Sequence, residues 1–334
     1  MTVRERFQNT LNFKPCDDRL PMIEWVGWWE PTIERWHSEG LDNTLDTYGI
    51  YDELGLDRHV TLGVTPVDWD APFASKVNSG EAIVTDVESY NKIKDYLYTE
   101  KNIERAVESA ECRKQAHDKG EIAVKIWMDG CFWFPRALLG IENHFYAFYD
   151  KPDLIHMMND DLTRFNIRMF EAITEVLTPE FVGIAEDMSY NHGPMLSHEL
   201  FSEFILPYYR RLVSAIKNKD TKIMVDSDGD VTQMIPWMNE AGIDGIYPHE
   251  RQAGCDIVKI REQYPDLLLL GGFDKIVMNK GEEAIRAEFE RILPVMKSGG
   301  FIPSVDHQTP PDVSLDDYKL YVCLFKEYCR RAVD

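Results

Sequence analysis

The chain has 334 residues, and its 58 acidic and 36 basic side chains give a formal net charge of −22 at pH 7. This charge repels a nucleic-acid backbone and an anionic membrane surface, so we expect neither as a partner. The sequence has no C-x-x-C pair, no apolar run near the roughly 20 residues of a membrane span, and no apolar segment of a signal peptide in its polar start. These features predict a cytoplasmic protein with reduced thiols.

Short apolar segments bounded by turns or acidic residues recur along the chain, and amphipathic helical stretches separate most of them. Strands that alternate with helices predict a parallel sheet with crossover helices. In chain order, the predicted strands are residues 21–26, 122–128, 181–187, 222–228, 243–250, 267–274 and 300–307. The predicted helices include residues 199–218, 231–242, 282–300 and 315–334.

These strands are one short of an eight-stranded α/β barrel, the (β/α)8 TIM barrel. The eighth strand can lie between residues 57 and 120, a stretch that also fits an inserted hairpin formed by 64–73 and 82–87. We expect a single barrel domain over residues 1–334 with an N-terminal elaboration, because α/β barrels often reach this size. A doubly wound open sheet is the alternative.

Polar residues end the late strands, and this favours the barrel because barrel enzymes carry their sites at the carboxyl ends of the strands. The residues are Glu186 and Asp187, Asp226 and Asp228, His249 and Glu250, Asp274 and Lys275, and Asp306 and His307. Alternate residues of a strand point to the same side, so Asp226 and Asp228 are expected to converge. The same residues also fit structural roles: a turn with Asp230 capping the next helix, and ion pairs at the rim.

Blocks of sequence along most of the chain resemble the uroporphyrinogen decarboxylase superfamily. They are TVRERFQNTLNFKPCDDRLP at 2–21, AEDMSYNHGPMLS at 185–197, VDSDGDV at 225–231, PHERQAGCD at 248–256, GGFDKIVMNKG at 271–281 and GGFIPSVDHQTPPDVS at 299–314. The resemblance implies a (β/α)8 barrel. It also implies one of two chemistries, tetrapyrrole decarboxylation or corrinoid-linked methyl transfer.

The decarboxylases of this superfamily carry an arginine-rich loop of the form M-R-Q-A-G-R-Y after the first strand, which holds the propionates of the substrate. Here that place reads EWVGWWEPTIERW at 24–36. A polyanionic porphyrinogen would meet Glu24 and Glu30 where it needs cations. Decarboxylation is therefore disfavoured, although a lyase of this type is kept as an alternative.

The coenzyme M methyltransferases of the superfamily bind zinc through an H-x-C-G motif and a later cysteine. The matching segment here is residues 226–229, with sequence DSDG, and the later position falls within residues 304–307, with sequence SVDH. Because no sulfur ligand is present, activation of a thiol by zinc is in doubt. The chain is more similar to the branch that demethylates methoxylated substrates, such as the veratrol and vanillate O-demethylase methyltransferases. Methyl transfer from a corrinoid protein to a thiol or tetrahydrofolate is the second alternative.

Ether demethylation by a corrinoid needs help for the leaving oxygen, because a phenol has a pKa near 10, as tyrosine does. Asp226, Asp228 and His307 are the first catalytic candidates, with Glu186 and Asp187 beside them. When two carboxyl groups lie close together, the pKa of one of them is raised, and the pKa of histidine lies near neutrality. Asp226, Asp228 and His307 are also candidate ligands of a metal ion, zinc or another, that would polarise the oxygen.

Tryptophans offer flat apolar surface for an aromatic substrate, although tryptophans also belong to protein cores. The predicted substrate-binding residues are Glu24, Trp25, Trp28, Trp29, Trp127, Asp129, Tyr190, His192 and Glu250. A corrinoid-binding signature would read D-x-H-x-x-G, and the nearest run places Leu62 where the glycine is needed. We therefore expect the cobalamin or related corrinoid to arrive on a separate partner protein.

Overall fold

The computed structural model describes residues 1–219 and 221–334, with the side chain of Val64 left aside. The strands are β1 His59–Val64, β2 Ala123–Asp129, β3 Phe181–Ala185, β4 Ser189–Tyr190, β5 Gly193–Pro194, β6 Lys222–Asp226, β7 Gly245–Tyr247, β8 Leu268–Phe273 and β9 Phe301–Val305. The helices are α1 Val3–Leu11, α2 Glu30–Ser38, α3 Thr47–Leu54, α4 Val87–Ile93, α5 Glu100–Asp118, α6 Trp133–Leu139, α7 Ile141–Asp150, α8 Pro152–Thr174, α9 His198–Phe204, α10 Leu206–Lys217, α11 Ile235–Ala241, α12 Ile257–Gln263, α13 Glu282–Lys297 and α14 Leu315–Arg331.

Seven of the strands form one parallel sheet in the order β1-β2-β3-β6-β7-β8-β9, and β4 and β5 form a separate antiparallel pair. A doubly wound sheet would reverse its strand order at a switch point. Because the observed order follows the chain throughout, the doubly wound alternative is wrong. The α/β class and the parallel sheet are confirmed, and closure into an eight-stranded (β/α)8 barrel stays a prediction.

Three strands are buried along their whole length, as parallel strands covered on both faces are. Every residue of β3, β8 and β9 is buried. The predicted helix 199–218 is instead two helices, α9 and α10, and α10 carries Pro207 in its first turn. Proline is tolerated there because the first amides of a helix need no partner within it.

The first predicted strand, residues 21–26, is not a strand in the structure. Its backbone nevertheless forms hydrogen bonds at both edges of the sheet. The amide of Asp57, just before β1, donates to the Met22 carbonyl oxygen at 2.7 Å. On the other side, the Ser304 hydroxyl of β9 donates to the Ile23 carbonyl oxygen at 2.8 Å. The segment therefore lies between the edge strands β1 and β9 without a ladder of backbone bonds.

The stretch from 57 to 120 does contain a strand, β1, but the inserted hairpin predicted there is wrong. Val67 forms an isolated bridge to Leu97 rather than pairing with residues 82–87. Asp86 instead begins α4, in a capping box with Ser89. A capping box favours a helix start over an extended strand end.

One cluster of buried apolar side chains extends from Phe7 in α1 to Cys329 in α14. The segment before β1 is also held to this core by a buried ion pair. Asp57 is buried, and both its oxygens accept hydrogen bonds from Arg19 at 2.6 Å. Among the helices of the described residues, none combines the length and apolarity of a membrane span.

Candidate active site

Three side chains that could bind a cation meet at the carboxyl ends of the strands, a region called the mouth below. Asp228 follows β6, Glu250 follows β7 and His307 follows β9, and their ligand atoms all lie within 4.8 Å of one another. His307 Nε2 is 3.6 Å from Asp228 Oδ2, and this contact raises the pKa of His307. All three side chains are partly exposed, so a substrate can reach this mouth triad.

Hydrogen bonds between loops position the mouth triad. Glu250 Oε2 accepts from the Gly229 amide at 2.9 Å, and Asp187 Oδ1 accepts from the Asp228 amide at 3.2 Å. Gly229 has φ +85°, and a Cβ atom there would lie 2.5 Å from Tyr190 Cα. Glycine is therefore required for the turn and for the close approach of the β4–β5 hairpin.

Asp187 lies beside the mouth triad in a conformation that L-residues seldom adopt. Its φ is +39°, and its carbonyl oxygen accepts from Arg136 Nη1 at 3.0 Å. Burial raises the pKa of Asp187, and the charge of Asp228 adds to that rise. Its position permits a catalytic contribution, and its bond to the Asp228 amide also gives it a positioning role.

Asp226 is not a member of the mouth triad, which contains Glu250 beside the predicted Asp228 and His307. The reason is local geometry, since Asp226 is the last residue of β6 and Asp228 lies past it in a turn, where strand alternation no longer applies. Asp226 is buried, and its Oδ1 has no hydrogen-bond partner among the described residues. Burial raises the pKa of Asp226 well above its usual range.

Glu186 is fully buried and makes no hydrogen bond to the mouth triad. Its carboxylate accepts from the amides of Cys131, Phe132 and Trp133 at 2.9, 2.8 and 3.0 Å, and from the Tyr209 hydroxyl. Burial raises the pKa of Glu186 to about 7, against the effect of these donors. The Glu186 carboxylate thus accepts hydrogen bonds from the backbone amides at the start of α6, which is a structural role.

Two of the predicted tryptophans line the interior of the mouth. The ring of Trp25 lies 5.2 Å from that of Tyr247 in an edge-on contact, and 6.4 Å from that of His307. Trp127 is partly exposed on β2. Lys125 Nζ lies 4.9 Å from the Trp127 ring and 5.7 Å from the Trp25 ring.

The other two tryptophans lie elsewhere. Trp28 packs against the rings of Trp36, Tyr51 and Tyr318 in the core, with centroids 5.7, 5.4 and 5.9 Å away. Trp29 precedes α2 and is 43% exposed. Neither has a contact with the mouth triad in the described structure.

The remaining predicted substrate-binding residues are divided between the core and the surface. Glu24 is 1% exposed and accepts from the Tyr318 hydroxyl at 2.7 Å, so it faces α14, and burial raises its pKa to about 8. Burial also raises the pKa of Asp129 to about 7. Tyr190 and His192 are exposed on the β4–β5 hairpin, with ring centroids 5.6 Å apart.

The sequence reasoning missed Lys125, which lies in the middle of β2 and is 3% exposed. In the described part of the chain its Nζ forms no ion pair within 4.0 Å. Burial lowers its pKa to about 8, and the charge of Asp226 opposes that change. The available signal was a single lysine inside an apolar strand, because lysine is rarely fully buried without a partner.

Comparison with known proteins gives consistent matches. A family model described as uroporphyrinogen decarboxylase (URO-D) matches residues 74–328. The methylcobamide:CoM methyltransferase MtbA of Methanosarcina acetivorans is 21% identical over 215 residues, 64% of this chain and 61% of the relative. A uroporphyrinogen decarboxylase of Chlorobium phaeobacteroides is 27% identical over 218 residues, 60% of this chain and 59% of the relative. The matched region thus spans less than two thirds of these relatives.

A solved structure, a methyltransferase from Methanosarcina mazei, superposes with a TM-score of 0.62. The superposition covers 98% of this chain and 99% of that one, at 17% sequence identity. At this identity the likeness describes the fold.

Proposed function

Because the chain belongs to the uroporphyrinogen decarboxylase family, we propose that it is a corrinoid-dependent methyltransferase that demethylates a methoxylated aromatic substrate. The methyl group passes to the reduced corrinoid of a separate partner protein, which is the second substrate. The observation that carries this proposal is the mouth triad, a set of two carboxylates and one imidazole with no thiolate. We treat residues 1–334 as one domain in this proposal.

The mouth triad suits the departure of an oxygen leaving group. A phenolate leaves when the methyl carbon–oxygen bond of an aryl ether breaks, and a positioned acid speeds such a step by roughly 10²- to 10⁴-fold. Asp228 raises the pKa of His307, which keeps more of the imidazole protonated near neutral pH. His307 would donate its proton to the oxygen, which retains the electron pair of the broken bond. The corrinoid of the partner supplies the electron pair for the new bond to the methyl carbon.

As an alternative to the acid role of His307, the mouth triad fits a divalent cation held by Asp228, Glu250 and His307. Zinc accepts imidazole and carboxylate ligands at about 2.0–2.2 Å, and neighbouring ligand atoms then lie a little over 3 Å apart. The 3.6 Å between His307 and Asp228 is close to this spacing. Such an ion would supply Lewis acidity at the leaving oxygen.

Transfer to a thiol has less support. A zinc site that activates a thiol usually includes sulfur ligands. Cys255 lies near Gly229, the residue after Asp228, but its Sγ donates to the Gly229 carbonyl oxygen at 3.4 Å and burial raises its pKa to about 12. It is therefore a buried thiol rather than a ligand.

Porphyrinogen decarboxylation has less support as well, since its substrate carries many carboxylates. Arg136 and Lys275 near the mouth already lie beside Asp187 and Asp306, at 3.9 and 3.4 Å. Glu24, in the segment that resembles the arginine-rich loop by position, is buried against α14.

The test combines the purified protein with chemically reduced free cobalamin and a panel of methoxylated arenes. We expect the Co(I) absorption to fall as methyl-Co(III) grows, with an equal amount of demethylated phenol found by chromatography. His307→Ala should slow this reaction by about 100-fold if the imidazole acts as an acid. His198→Ala is the matched control, because His198 is exposed and pairs with Glu240 on the outside of the protein.

Two results would contradict the proposal. One is the absence of methyl-Co(III) with every arene, together with consumption of added methylcobalamin when a thiol or tetrahydrofolate is present. The other is release of carbon dioxide from a porphyrinogen substrate. Equal rates in the His307→Ala and His198→Ala variants would contradict the acid role of His307 but not the methyltransferase function.

A further inference from the structure

A cavity of about 340 Å³ lies at the amino ends of the strands, opposite the mouth, between α1, the residues before β3 and the start of β6. We call it the α1 cavity. Its lining includes four cationic side chains and one carboxylate: Arg4, Lys14, Lys219, Lys222 and Glu180. The chain as a whole has a formal net charge of −22, so a concave surface with a surplus of cations runs against its composition.

The one carboxylate of this lining is already surrounded by donors. Glu180 is 6% exposed, and its carboxylate accepts from the Val124 amide at 2.6 Å and from Arg4 Nε at 2.8 Å. His117 Nε2 lies 3.2 Å from the same group. Because its oxygens are directed to these partners, Glu180 opposes an incoming anion less than a free carboxylate would.

The cations of the α1 cavity are largely unused. Lys14 and Lys222 form no ion pair within 4.0 Å among the described residues. Lys219 lies 3.8 Å from Glu175, and because both side chains are exposed this pair contributes little. Arg4 uses its Nε for Glu180 and keeps its two terminal nitrogens for another acceptor. Like charges around one cavity repel each other, and a bound anion would remove that repulsion.

The shape and the donors of the α1 cavity favour a small molecule with several negative charges. Binding sites for small molecules are concave and usually have volumes of about 300–1,000 Å³, and the α1 cavity falls at the lower end of this range. Guanidinium and ammonium groups form their strongest hydrogen bonds with charged oxygens such as those of phosphates. A chain of phosphate groups presents such oxygens on every side.

A larger cavity adjoins this one and suits the organic part of a ligand. It has a volume of about 460 Å³ and shares Leu11, Asn12 and Lys222 with the α1 cavity. It adds the aromatic rings of Phe13 and Tyr264, and Phe13 is 39% exposed. Exposed aromatic rings bind flat heterocycles by stacking. A nucleotide with its phosphate chain in the α1 cavity would therefore reach these rings with its base.

We propose that the α1 cavity binds a polyphosphate chain, either free or carried by a nucleotide. The adjoining aromatic cavity makes the nucleotide the tighter of the two ligands. This site goes beyond the proposed function and does not depend on it, because the mouth triad lies at the other end of the strands.

The first experiment is isothermal titration calorimetry at low ionic strength with ATP, inorganic triphosphate, adenosine and citrate. A chelator is present throughout, so that ATP cannot bind through a metal ion at the mouth triad. We expect ATP and triphosphate to bind at least about 10-fold more tightly than adenosine, because hydrogen bonds to charged groups carry the interaction. Added salt should weaken both.

The comparison of ligands separates the two sources of the phosphate chain. Tighter binding of ATP than of triphosphate supports a nucleotide, and equal binding supports inorganic polyphosphate. Citrate bound as tightly as triphosphate would overturn the assignment to phosphate, and the absence of heat with both phosphate ligands would overturn the site.

The second experiment removes two charges. The double variant Lys14→Gln/Lys222→Gln should bind triphosphate about 10- to 100-fold more weakly. Lys319→Gln/Lys326→Gln is the matched control, since both lysines are exposed on α14, away from the cavity, and the net charge changes equally. Wild-type affinity in the first double variant, or an equal loss in both, would overturn the proposal.

A thermal unfolding series provides a measurement that is independent of calorimetry. A ligand that binds only the folded chain raises Tm as its concentration increases, so triphosphate should raise Tm in the wild type and in the control. The same rise in Lys14→Gln/Lys222→Gln would place the ligand elsewhere and overturn the site. His307→Ala should keep wild-type binding of ATP, and loss of that binding would place ATP at the mouth instead.

Discussion

Replacement of Glu186 should destabilise the protein strongly, because its side chain accepts hydrogen bonds from four donors, three of which are buried. In Glu186→Ala the amides of residues 131, 132 and 133 and the Tyr209 hydroxyl lose their acceptor. Each unsatisfied buried donor costs about 1–3 kcal/mol, so three of them predict a loss of at least about 3 kcal/mol. That is a large part of the roughly 5–15 kcal/mol by which proteins are usually stable.

Glu186→Gln provides a graded comparison. The glutamine oxygen at the place of Oε2 would still accept from Phe132 and Trp133. At the place of Oε1 the amide nitrogen cannot accept from the Cys131 amide, whereas the Tyr209 hydroxyl can turn to accept from that nitrogen. One unpaired donor predicts a loss of about 1–3 kcal/mol.

Equilibrium unfolding in urea, followed by tryptophan fluorescence, measures both variants. Glu171→Gln is the control, since Glu171 is exposed on α8 and should change stability by less than about 0.5 kcal/mol. The reasoning is refuted if Glu186→Ala costs less than about 1 kcal/mol, or if Glu186→Gln costs as much as Glu186→Ala.

Gly183→Ala would place a methyl group 2.2 Å from the Tyr247 hydroxyl oxygen; we expect a loss of roughly 1–3 kcal/mol in the free energy of unfolding, which Tyr247→Phe in the same chain should partly recover. Asp228→Asn should lower the pKa of His307, because Asp228 raises it; an NMR titration of metal-free protein measures this, and an unchanged pKa would contradict the contact. Burial lowers the pKa of Lys125 to about 8 from an ordinary 10.5, so the folded chain binds fewer protons than the unfolded chain between those values and stability should rise with pH there. Lys125→Met should abolish that rise, and superimposable pH profiles would show that Lys125 keeps an ordinary pKa.

The sequence was sufficient for the strands that are buried on both faces. Segments such as 181–187 and 267–274 are apolar and end in polar residues, and both contain strands, β3 and β8. Their pattern is decided locally, because a strand covered on both faces needs apolar residues at every position.

Two other apolar segments could not be predicted in the same way. Residues 21–26 have the composition of a strand, but their backbone bonds go to Asp57 and to the Ser304 side chain rather than to a neighbouring ladder. Residues 82–87 alternate in polarity, yet the Ile83 and Val84 amides both donate to the Leu138 carbonyl oxygen. Only the tertiary structure provides these partners.

The sequence predicted the location of the site at the carboxyl ends of the strands better than it predicted the individual residues. Asp228 and His307 were expected at the mouth because polar residues end parallel strands there, and the structure brings them to 3.6 Å. Asp226 does not join them, because β6 ends at Asp226 and Asp228 lies beyond it, where strand alternation no longer applies. Lys125 was missed, since its position relative to Trp25 and Tyr247 depends on segments far apart in sequence.

The contact of residues 22–25 with β1 and β9 makes this side of the sheet a seam. The strands β3 and β6 each pair on both sides. By contrast, Ser304 of β9 and Asp57, just before β1, each make an isolated hydrogen bond to the backbone of the segment. A region held by few backbone hydrogen bonds opens locally at a lower free energy than the whole protein unfolds. Its amide hydrogens therefore exchange with solvent sooner. Because Trp25 belongs to this segment, opening of the seam would move the ring that separates Lys125 from His307 and leave the rest of the sheet folded.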